Sequence, residues 1–148
     1  LVLRAFTKLY SLAGIRLGHL VGNAQLLKSI SPFGAEWSVS IPAQVCGIES
    51  LKQEPSWSIE TKNFITKEKK FMIDSLEILG LKVFPAAANF MLVQSKISLF
   101  KTLRDSGLLV RDCSNFDGLD EHYIRIGLLG HEANEELIRE IRRIVNAK

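Results

Sequence analysis

The sequence predicts an α/β protein in which helices cover a small mixed or antiparallel sheet, preceded by a short remnant of a parallel sheet. Apolar residues recur every seven positions between Trp57 and Ile78, the spacing of one face of a long helix. Four short apolar runs follow between residues 82 and 126, as is typical of strands, and an amphipathic helical pattern ends the chain. We therefore divide the 148 residues into a first part, 1–54, and a small α/β domain, 55–148.

The first part contains two predicted strands and two predicted helices. Residues 1–3 and 17–21 are apolar enough for buried strands, and the turn between them carries Gly14. We interpret them as the remnant of the parallel sheet. A brief helix is predicted over residues 23–29. A longer one covers Ile41–Lys52, with its proline in the first turn, where the missing N–H costs no helical hydrogen bond.

The small domain begins with the long helix, which Gly80 is expected to end. The stripe predicted to face the core consists of Trp57, Phe64, Phe71 and Ile78, with Ile65, Met72 and Leu79 beside them. The charged run 67–70 is predicted to lie on the solvated face of the same helix. Strands are predicted over residues 82–84, 89–93, 108–110 and 123–126, with a short helix over 98–104 and a last helix from Asn134 onward.

Composition and charge narrow the function class. The 19 Lys and Arg residues are interleaved with 16 Asp and Glu, so the net charge of +3 forms no basic patch for nucleic acid. Two cysteines make no disulfide framework, which fits a reducing, cytoplasmic setting, and Cys113 is assigned to packing. No apolar run reaches the roughly 18 residues of a membrane span, so no membrane contact is expected. The three histidines, His19, His122 and His131, lack the spacing of metal ligands, and no metal site is predicted.

A cluster of polar residues near the start of the chain is the first candidate site. Lys8 follows an apolar strand, where partial desolvation of its amine would favour a nucleophilic Schiff-base lysine. Arg16 comes eight residues later across the turn at Gly14, and Thr7 and Ser11 add hydroxyl groups. A cation, hydroxyls and a tight turn are what a phosphate dianion recruits. The plain alternatives are a surface lysine at a strand end and an arginine paired with a carboxylate.

This cluster resembles the active-site segment of fold-type I pyridoxal-phosphate enzymes of the aminotransferase class. The residues that carry the resemblance are Thr7-Lys8 and the run 14–18, Gly-Ile-Arg-Leu-Gly. The resemblance implies that Lys8 holds pyridoxal 5'-phosphate covalently and that Arg16, together with Thr7, binds the cofactor phosphate. The family usually has Ser or Thr three residues before the lysine. This chain has Ala5 there, so one phosphate ligand is missing or supplied elsewhere.

Arg111 and Arg125 form a second candidate site. They are fourteen residues apart, each at or near the end of a strand candidate. If the two strands are neighbours, both guanidinium groups can face one pocket and bind two anionic groups of a single substrate. The alternative is a structural role for both arginines.

The second site also carries a resemblance. Residues 110–119 and 123–126 are similar to the substrate-anchoring segment of threonine-phosphate decarboxylases and, less closely, to that of histidinol-phosphate aminotransferases. Residues 37–40 and 88–90 resemble further stretches of the same group, so the likeness runs from about residue 1 to 145. It implies that Arg125 binds a substrate carboxylate, that Arg111 helps to hold a substrate phosphate, and that Asn89 also binds substrate.

The resemblance implies a pyridoxal-phosphate-dependent lyase. Its expected reaction is decarboxylation of L-threonine O-3-phosphate to 1-amino-2-propanol O-phosphate, a step of cobalamin biosynthesis. Transamination of histidinol phosphate is the alternative enzyme activity. A non-catalytic α/β binding module, in which Lys8 and the arginines are rim charges, is the alternative of another class. A small phosphorylated amino-acid substrate and a homodimeric full-length enzyme are the partners that the family implies.

The resemblance further implies that part of the active site lies outside these 148 residues. In the family, the carboxylate that faces the pyridine nitrogen, the stacking aromatic residue and the phosphate-binding helix all precede the lysine. Only seven residues precede Lys8, and the first of them already lies in a predicted strand. We therefore expect residues 1–54 to be the end of the large cofactor-binding domain with connecting helices. The chain alone is expected to bind the cofactor weakly and not to turn over.

Overall fold

The computed structural model describes residues 1–147, and their contacts divide the chain into two compact units, Leu1–Lys62 and Asn63–Lys148. The prediction of an α/β protein with helices and small antiparallel sheets is confirmed. The domain boundary predicted between residues 54 and 55 stays a prediction. Among the described residues, no helix is both long and apolar enough to cross a membrane.

The first unit opens with an antiparallel pair of strands, β1 (Val2–Ala5) and β2 (Gly18–Val21). Val2 lies opposite Val21 and Ala5 opposite Gly18, and both strands are exposed along their whole length. Two expectations are thus wrong, since the pair is neither parallel nor buried. The connection between the strands holds an α-helix of only four residues, which is too short for the crossover that parallel neighbours need.

Three helices lie within the first unit. They are α1 (Phe6–Leu9), α2 (Ala24–Ile30) and α3 (Ile41–Lys52). Asn23 accepts hydrogen bonds from two backbone N–H groups in the first turn of α2, and the Ser40 hydroxyl accepts one in the first turn of α3. These caps supply acceptors for N–H groups that have no partner inside a helix. The helices predicted over 23–29 and 41–52 are therefore confirmed.

The long helix α4 (Ser56–Ile78) and its end at Gly80 are also confirmed. Gly80 has a φ of 77°, the left-handed conformation that glycine adopts at little cost. The Leu81 N–H returns to the Leu76 carbonyl at 3.1 Å, and the Gly80 N–H donates to the Glu77 carbonyl at 2.9 Å. Leu76 and Leu81 are both buried, so the apolar contact that accompanies this type of helix end is present.

The stripe of α4 predicted to be core is buried only in part. Trp57 is 43% exposed, Phe64 44% and Ile78 80%. Met72 of the predicted stripe is buried, and Phe71 and Leu79 pack against the core, whereas the rest of the buried face is formed by Glu68 and Leu76. Met72 is one position beyond the stripe residue Phe71, which corresponds to a rotation of about 100° around the helix axis. The sequence shows that the helix is amphipathic, but only the position of the sheet decides which of two neighbouring lines it covers.

The second unit is built on a four-stranded sheet with the strand order β3-β4-β6-β5. Its strands are β3 (Lys82–Val83), β4 (Phe90–Gln94), β5 (Arg111–Asp112) and β6 (Tyr123–Gly127), and its helices besides α4 are α5 (Phe100–Asp105) and α6 (His131–Asn146). All neighbouring strands are antiparallel, so the antiparallel alternative of the prediction is the one found.

β5 is displaced from its predicted position at residues 108–110. Gly107 has a φ of 82°, and the Leu108 N–H donates to the Leu103 carbonyl at 2.9 Å, which ends α5 as Gly80 ends α4. Leu108 and Val110 then pack against the core instead of joining the sheet. The ladder begins only at Arg111.

Side chains alternate between the two faces of the central strands β4 and β6. Met91, Val93, Ile124 and Ile126 are buried in the core together with Leu137, Ile138, Ile141 and Ile144 of α6. The other face carries Phe90 and Leu92 on β4 and Arg125 on β6. The strand pattern therefore directs Arg125 away from the core.

A buried polar cluster lies between α4 and the start of α6. Glu68 is only 1% exposed and accepts a hydrogen bond from the Asn134 amide at 3.0 Å. His131 Nδ1 lies 3.1 Å from both oxygens of the same carboxylate. The prediction that residues 67–70 form a solvated face is therefore wrong for Glu68. Glu68 precedes Met72 by four positions and so shares its buried face.

We expect Glu68→Leu to lower the free energy of unfolding by about 2 kcal/mol, because one N–H of the buried Asn134 amide loses its acceptor while the other still donates to the Leu129 carbonyl. Hydrogen bonds from Asn134 and His131 hold the pKa of Glu68 below its ordinary value, although burial acts in the opposite direction. The folded state therefore favours the carboxylate. This stabilisation is complete above the pKa of the unfolded state and is lost as the pH falls through the lower, folded-state pKa.

Urea unfolding as a function of pH measures both effects. Glu77→Leu, a change at an exposed position of the same helix, is the matched control and should alter stability little. Glu68→Gln keeps the shape but not the charge, so its stability should depend less on pH in the acidic range. Identical pH profiles for the Gln variant and the unchanged chain would contradict the assignment.

Candidate functional site

Lys8 lies in α1, the single helical turn that follows β1 directly. Its side chain is exposed, so the partial desolvation expected for its amine is not found within the described chain. β1 cannot bury the amine because that strand is itself exposed. Within the described residues Lys8 forms no ion pair with a carboxylate, which leaves the amine available to a ligand.

Phe6 anchors the segment that carries Lys8. It is 4% exposed, and its backbone N–H donates to the Leu17 carbonyl at 3.0 Å. Its ring stacks on Tyr10 with 4.8 Å between centroids and meets His19 edge-on at 5.8 Å. Phe6 therefore holds the helical turn that contains Lys8 against β2, the strand that contains His19.

The turn between Lys8 and Arg16 contains two non-glycine residues with left-handed backbones. Ser11 has a φ of 56° and Arg16 a φ of 58°, conformations that store strain and are frequent in ligand-binding segments. Arg16 Nη1 donates to the Ala13 carbonyl at 2.9 Å. The remaining guanidinium N–H groups are available to an anion, since no carboxylate pairs with Arg16 in the described part of the chain. A Cβ at Gly18 would lie 3.0 Å from the Arg4 carbonyl, which explains the glycine after this turn.

A cavity of about 550 Å³ opens beside Lys8. The charged and titratable side chains that line it are Arg4, Lys8, Tyr10, His19, Glu54 and Lys62. Three cations face one carboxylate, so the lining suits an anionic ligand. Thr7 and Arg16, the predicted phosphate ligands, do not line this cavity. The structure therefore brings Lys8 to the cavity without bringing those two residues to it.

Sequence reasoning missed the contacts that hold the residues after Lys8. Trp57 Nε1 donates to the Leu9 carbonyl at 2.7 Å, and the Tyr10 hydroxyl donates to Glu54 at 2.5 Å. Hydrogen bonds from Ser58 and from Tyr10 lower the pKa of Glu54, and the bond to Glu54 raises the pKa of Tyr10. The signal was Trp57 itself, because an indole N–H near a protein interior needs an acceptor and is not purely apolar.

Arg111 and Arg125 are directly opposite each other on neighbouring antiparallel strands. Both are exposed, and each guanidinium lies near a phenyl ring, Arg111 at 5.5 Å from the Phe116 centroid and Arg125 at 4.9 Å from that of Phe90. Arg111 also donates to the Asn115 amide oxygen at 3.0 Å. The described residues offer neither arginine a carboxylate within ion-pair distance. Like charges placed opposite each other destabilise a sheet, and an anionic ligand would relieve this repulsion.

Asn89 lies one residue before β4, and its main-chain carbonyl accepts the Leu128 N–H at 2.9 Å. That bond continues the ladder in which Phe90 faces Gly127. The Asn89 side chain is exposed at the end of the strand whose outer face carries Phe90. The structure therefore places Asn89 at an end of the sheet that also carries the arginine pair.

The cysteine and histidines for which the sequence predicted no functional role differ in their surroundings. Cys113 is buried as predicted, and burial raises the pKa of its thiol, as suits a packing residue. His131 is exposed, as predicted, and its ring also contacts the buried Glu68. Asp120, Glu121 and His122 lie close enough together to hold a metal ion, but they are largely exposed and nothing else in the described structure marks them as a site.

Comparisons with known proteins extend over nearly the whole chain. The family model described as aminotransferase class I and II matches residues 1–141. Histidinol-phosphate aminotransferase of Methanosphaera stadtmanae is 30% identical over 97% of this chain and 41% of that protein. Threonine-phosphate decarboxylase of Salmonella typhimurium is 31% identical, again over 97% of this chain and 41% of that protein. The chain thus spans about two fifths of the length of these curated relatives.

Solved structures of aminotransferases also match nearly the whole of this chain and less than half of their own length. Histidinol-phosphate aminotransferase from Clostridium acetobutylicum superposes with a TM-score of 0.88 at 29% identity, covering 99% of this chain and 46% of that one. Histidinol-phosphate aminotransferase from Sinorhizobium meliloti, in complex with pyridoxal-5'-phosphate, superposes with a TM-score of 0.83 at 19% identity, covering 98% and 41%. The second likeness supports the fold alone.

Proposed function

This chain belongs to the family of class I and II aminotransferases, and we propose that it is the C-terminal part of a pyridoxal-phosphate-dependent enzyme that acts on a phosphorylated amino compound. The observation that carries the substrate class is the pair Arg111 and Arg125, two cations in direct register with no carboxylate between them in the described structure. The first candidate reaction is decarboxylation of L-threonine O-3-phosphate to 1-amino-2-propanol O-phosphate, in cobalamin biosynthesis.

Lys8, Arg16 and Thr7 are chemically suited to bind the cofactor, although only Lys8 lines the cavity. Lys8 provides an accessible amine beside a cavity with a positive lining. Arg16 has guanidinium N–H groups left over for a phosphate, and the hydroxyl of Thr7 is half-buried next to Lys8. When bound, pyridoxal phosphate supplies an electron sink, and the protein selects which substrate bond breaks. In this proposal Lys8 binds the cofactor, while Thr7 and Arg16 hold its phosphate.

The arginine pair fits a substrate with two anionic groups. A guanidinium group can bind a carboxylate or a phosphate through two parallel hydrogen bonds, and two such groups on one sheet face can orient a small dianionic molecule. We assign the carboxylate to Arg125 and the phosphate to Arg111, with Asn89 as a further substrate ligand. Each guanidinium lies near a phenyl ring, and such stacking limits its freedom.

The proposal also includes a division of the chain into two domains and a homodimeric full-length enzyme. Leu3 is 75% exposed on β1, and apolar side chains on both strands of the β1–β2 pair are exposed as well. Together with the partial coverage of the relatives, this supports residues 1–54 as the end of a large cofactor-binding domain and residues 55–148 as the small domain. The full-length enzyme is proposed to be a cytoplasmic homodimer, and the 148 residues alone to bind cofactor weakly without turnover.

A second candidate is transamination of histidinol phosphate. It is favoured by the C. acetobutylicum structure and by the M. stadtmanae relative, both histidinol-phosphate aminotransferases, and the phosphate of histidinol phosphate suits an arginine of the same site. A non-catalytic binding module remains the alternative of another class. It would keep the fold and the arginine pair but need no cofactor.

A product assay on the protein expressed from its complete reading frame separates these candidates. We expect carbon dioxide and aminopropanol phosphate from phosphothreonine in the absence of any oxo acid. Strict dependence on 2-oxoglutarate with histidinol phosphate would instead establish the transaminase. Turnover of neither substrate, with no pyridoxal phosphate retained after gel filtration, would contradict both enzyme proposals.

A further inference from the structure

We propose that Trp57 and Glu54 are positioning residues for Lys8, which set the direction of its amine by holding the two residues that follow it. The inference rests on the proposed function, because it treats Lys8 as the residue that binds the cofactor. All the contacts that carry it lie within the first unit, Leu1–Lys62.

The helix that carries Lys8 cannot fix its own orientation. α1 has four residues, and neither a side-chain cap nor an acidic residue stabilises its first turn. One turn of helix closes too few hydrogen bonds to offset the cost of nucleation. The helix ends at once, since Tyr10 leaves the helical conformation and Ser11 has a positive φ. The orientation of Lys8 therefore depends on contacts made by its neighbours.

Those contacts come from two sides. Before Lys8, the buried ring and backbone N–H of Phe6 fix the start of the turn. After Lys8, the carbonyl of Leu9 accepts the Trp57 indole at 2.7 Å, and the hydroxyl of Tyr10 donates to Glu54 at 2.5 Å. Both later contacts originate where α3 ends and α4 begins. The backbone around Lys8 is thus held by the apolar contacts of Phe6 before it and by the hydrogen bonds of Leu9 and Tyr10 after it. The Lys8 side chain itself takes part in neither set of contacts.

Both oxygens of Glu54 bind donors other than the Lys8 amine. One oxygen of Glu54 accepts the Tyr10 hydroxyl, and the other accepts the Ser58 hydroxyl at 2.6 Å. Each oxygen therefore already has a donor, and the described residues contain no ion pair between Glu54 and Lys8. Glu54 orients the backbone after Lys8 while the amine stays available to the cavity that both residues line.

The test uses the protein expressed from its complete reading frame, with Trp57→Phe and Tyr10→Phe as the main variants. Each removes one hydrogen-bond donor and keeps the aromatic ring, so both should fold. After incubation with pyridoxal phosphate and reduction with borohydride, mass spectrometry gives the labelled fraction of Lys8 relative to the other lysines. We expect this fraction to fall about fivefold in each variant, and kcat to fall about tenfold with a smaller change in KM. The pH at which visible absorbance changes should also shift.

Trp37→Phe is the matched control, because Trp37 is 93% exposed. Glu54→Gln should retain most of the labelling, since its amide oxygen can still accept the Tyr10 hydroxyl, whereas Glu54→Leu should not. Unchanged labelling and pH dependence in Trp57→Phe and Tyr10→Phe, or equal losses in Trp37→Phe, overturn the positioning role. Absence of selective labelling of Lys8 in the unchanged protein overturns the proposed function instead.

Discussion

Lys8→Ala in the protein expressed from its complete reading frame is expected to lower turnover by about 10³-fold or more, because the variant loses the amine that we propose binds the cofactor. The substitution should change stability little, since the Lys8 side chain is exposed and forms no ion pair in the described structure. Retained pyridoxal phosphate after gel filtration, and its position after borohydride reduction, measure the loss of attachment separately from the loss of activity.

Lys28→Ala is the control for this experiment. Lys28 is another exposed lysine of the first unit, in the last turn of α2 and outside the cavity beside Lys8. Its replacement should leave both labelling and turnover unchanged. If Lys8→Ala keeps a covalently attached, stoichiometric cofactor, the assignment of Lys8 is wrong, whatever the activity of the protein.

Arg125→Leu is expected to lower kcat/KM for the phosphorylated substrate by about 100-fold, the loss associated with removing one partner of a charge pair at a binding site. Arg111→Leu should act in the same direction, and Arg111→Lys should restore only part of the activity because an ammonium group cannot form the two parallel hydrogen bonds of a guanidinium. Steady-state kinetics with the substrate found in the product assay provide the measurement.

Stability distinguishes a binding role of this pair from a structural one. The two arginines are like charges in direct register, so neutralising either one should leave the unfolding free energy unchanged or raise it by about 0.2–1 kcal/mol. A structural role predicts the opposite sign. Arg104→Leu is the control, because Arg104 is also exposed and near a phenyl ring, that of Phe100 at 5.9 Å. An activity loss in this control as large as that of Arg125→Leu would contradict specific anchoring.

Several elements of the fold could be predicted because their signals are local. α3 coincides with the predicted range, since a serine cap, a proline in the first turn and a run of compatible residues all belong to the same dozen positions. The end of α4 followed from one glycine. β5 was displaced because the hydrogen bond from Leu108 back to Leu103 competes with strand formation, and nothing in the apolar run 108–110 reveals that competition.

In the candidate site, too, some features could be predicted from the sequence and others could not. The residue types and spacing of Lys8, Arg16, Arg111 and Arg125 were visible in the chain. The exact register of the arginine pair was not, because two strands can pair in several offsets until turns and the buried face select one. The link from Trp57 to Leu9 spans 48 positions and crosses the turn, β2 and the helices α2 and α3, so no local pattern contains it.

The sequence by itself determined the α/β class, the positions of the main helices and the chemistry of the candidate residues, because propensity, caps and residue types act over a few neighbouring positions. Only the tertiary structure decided that Glu68 faces the core of the second unit while Phe64 stays exposed, and that the first two strands pair antiparallel. The same holds for the two contacts that hold the turn after Lys8. Each of these depends on which surfaces meet, and burial and long-range hydrogen bonds acquire their energies only once distant segments are in contact.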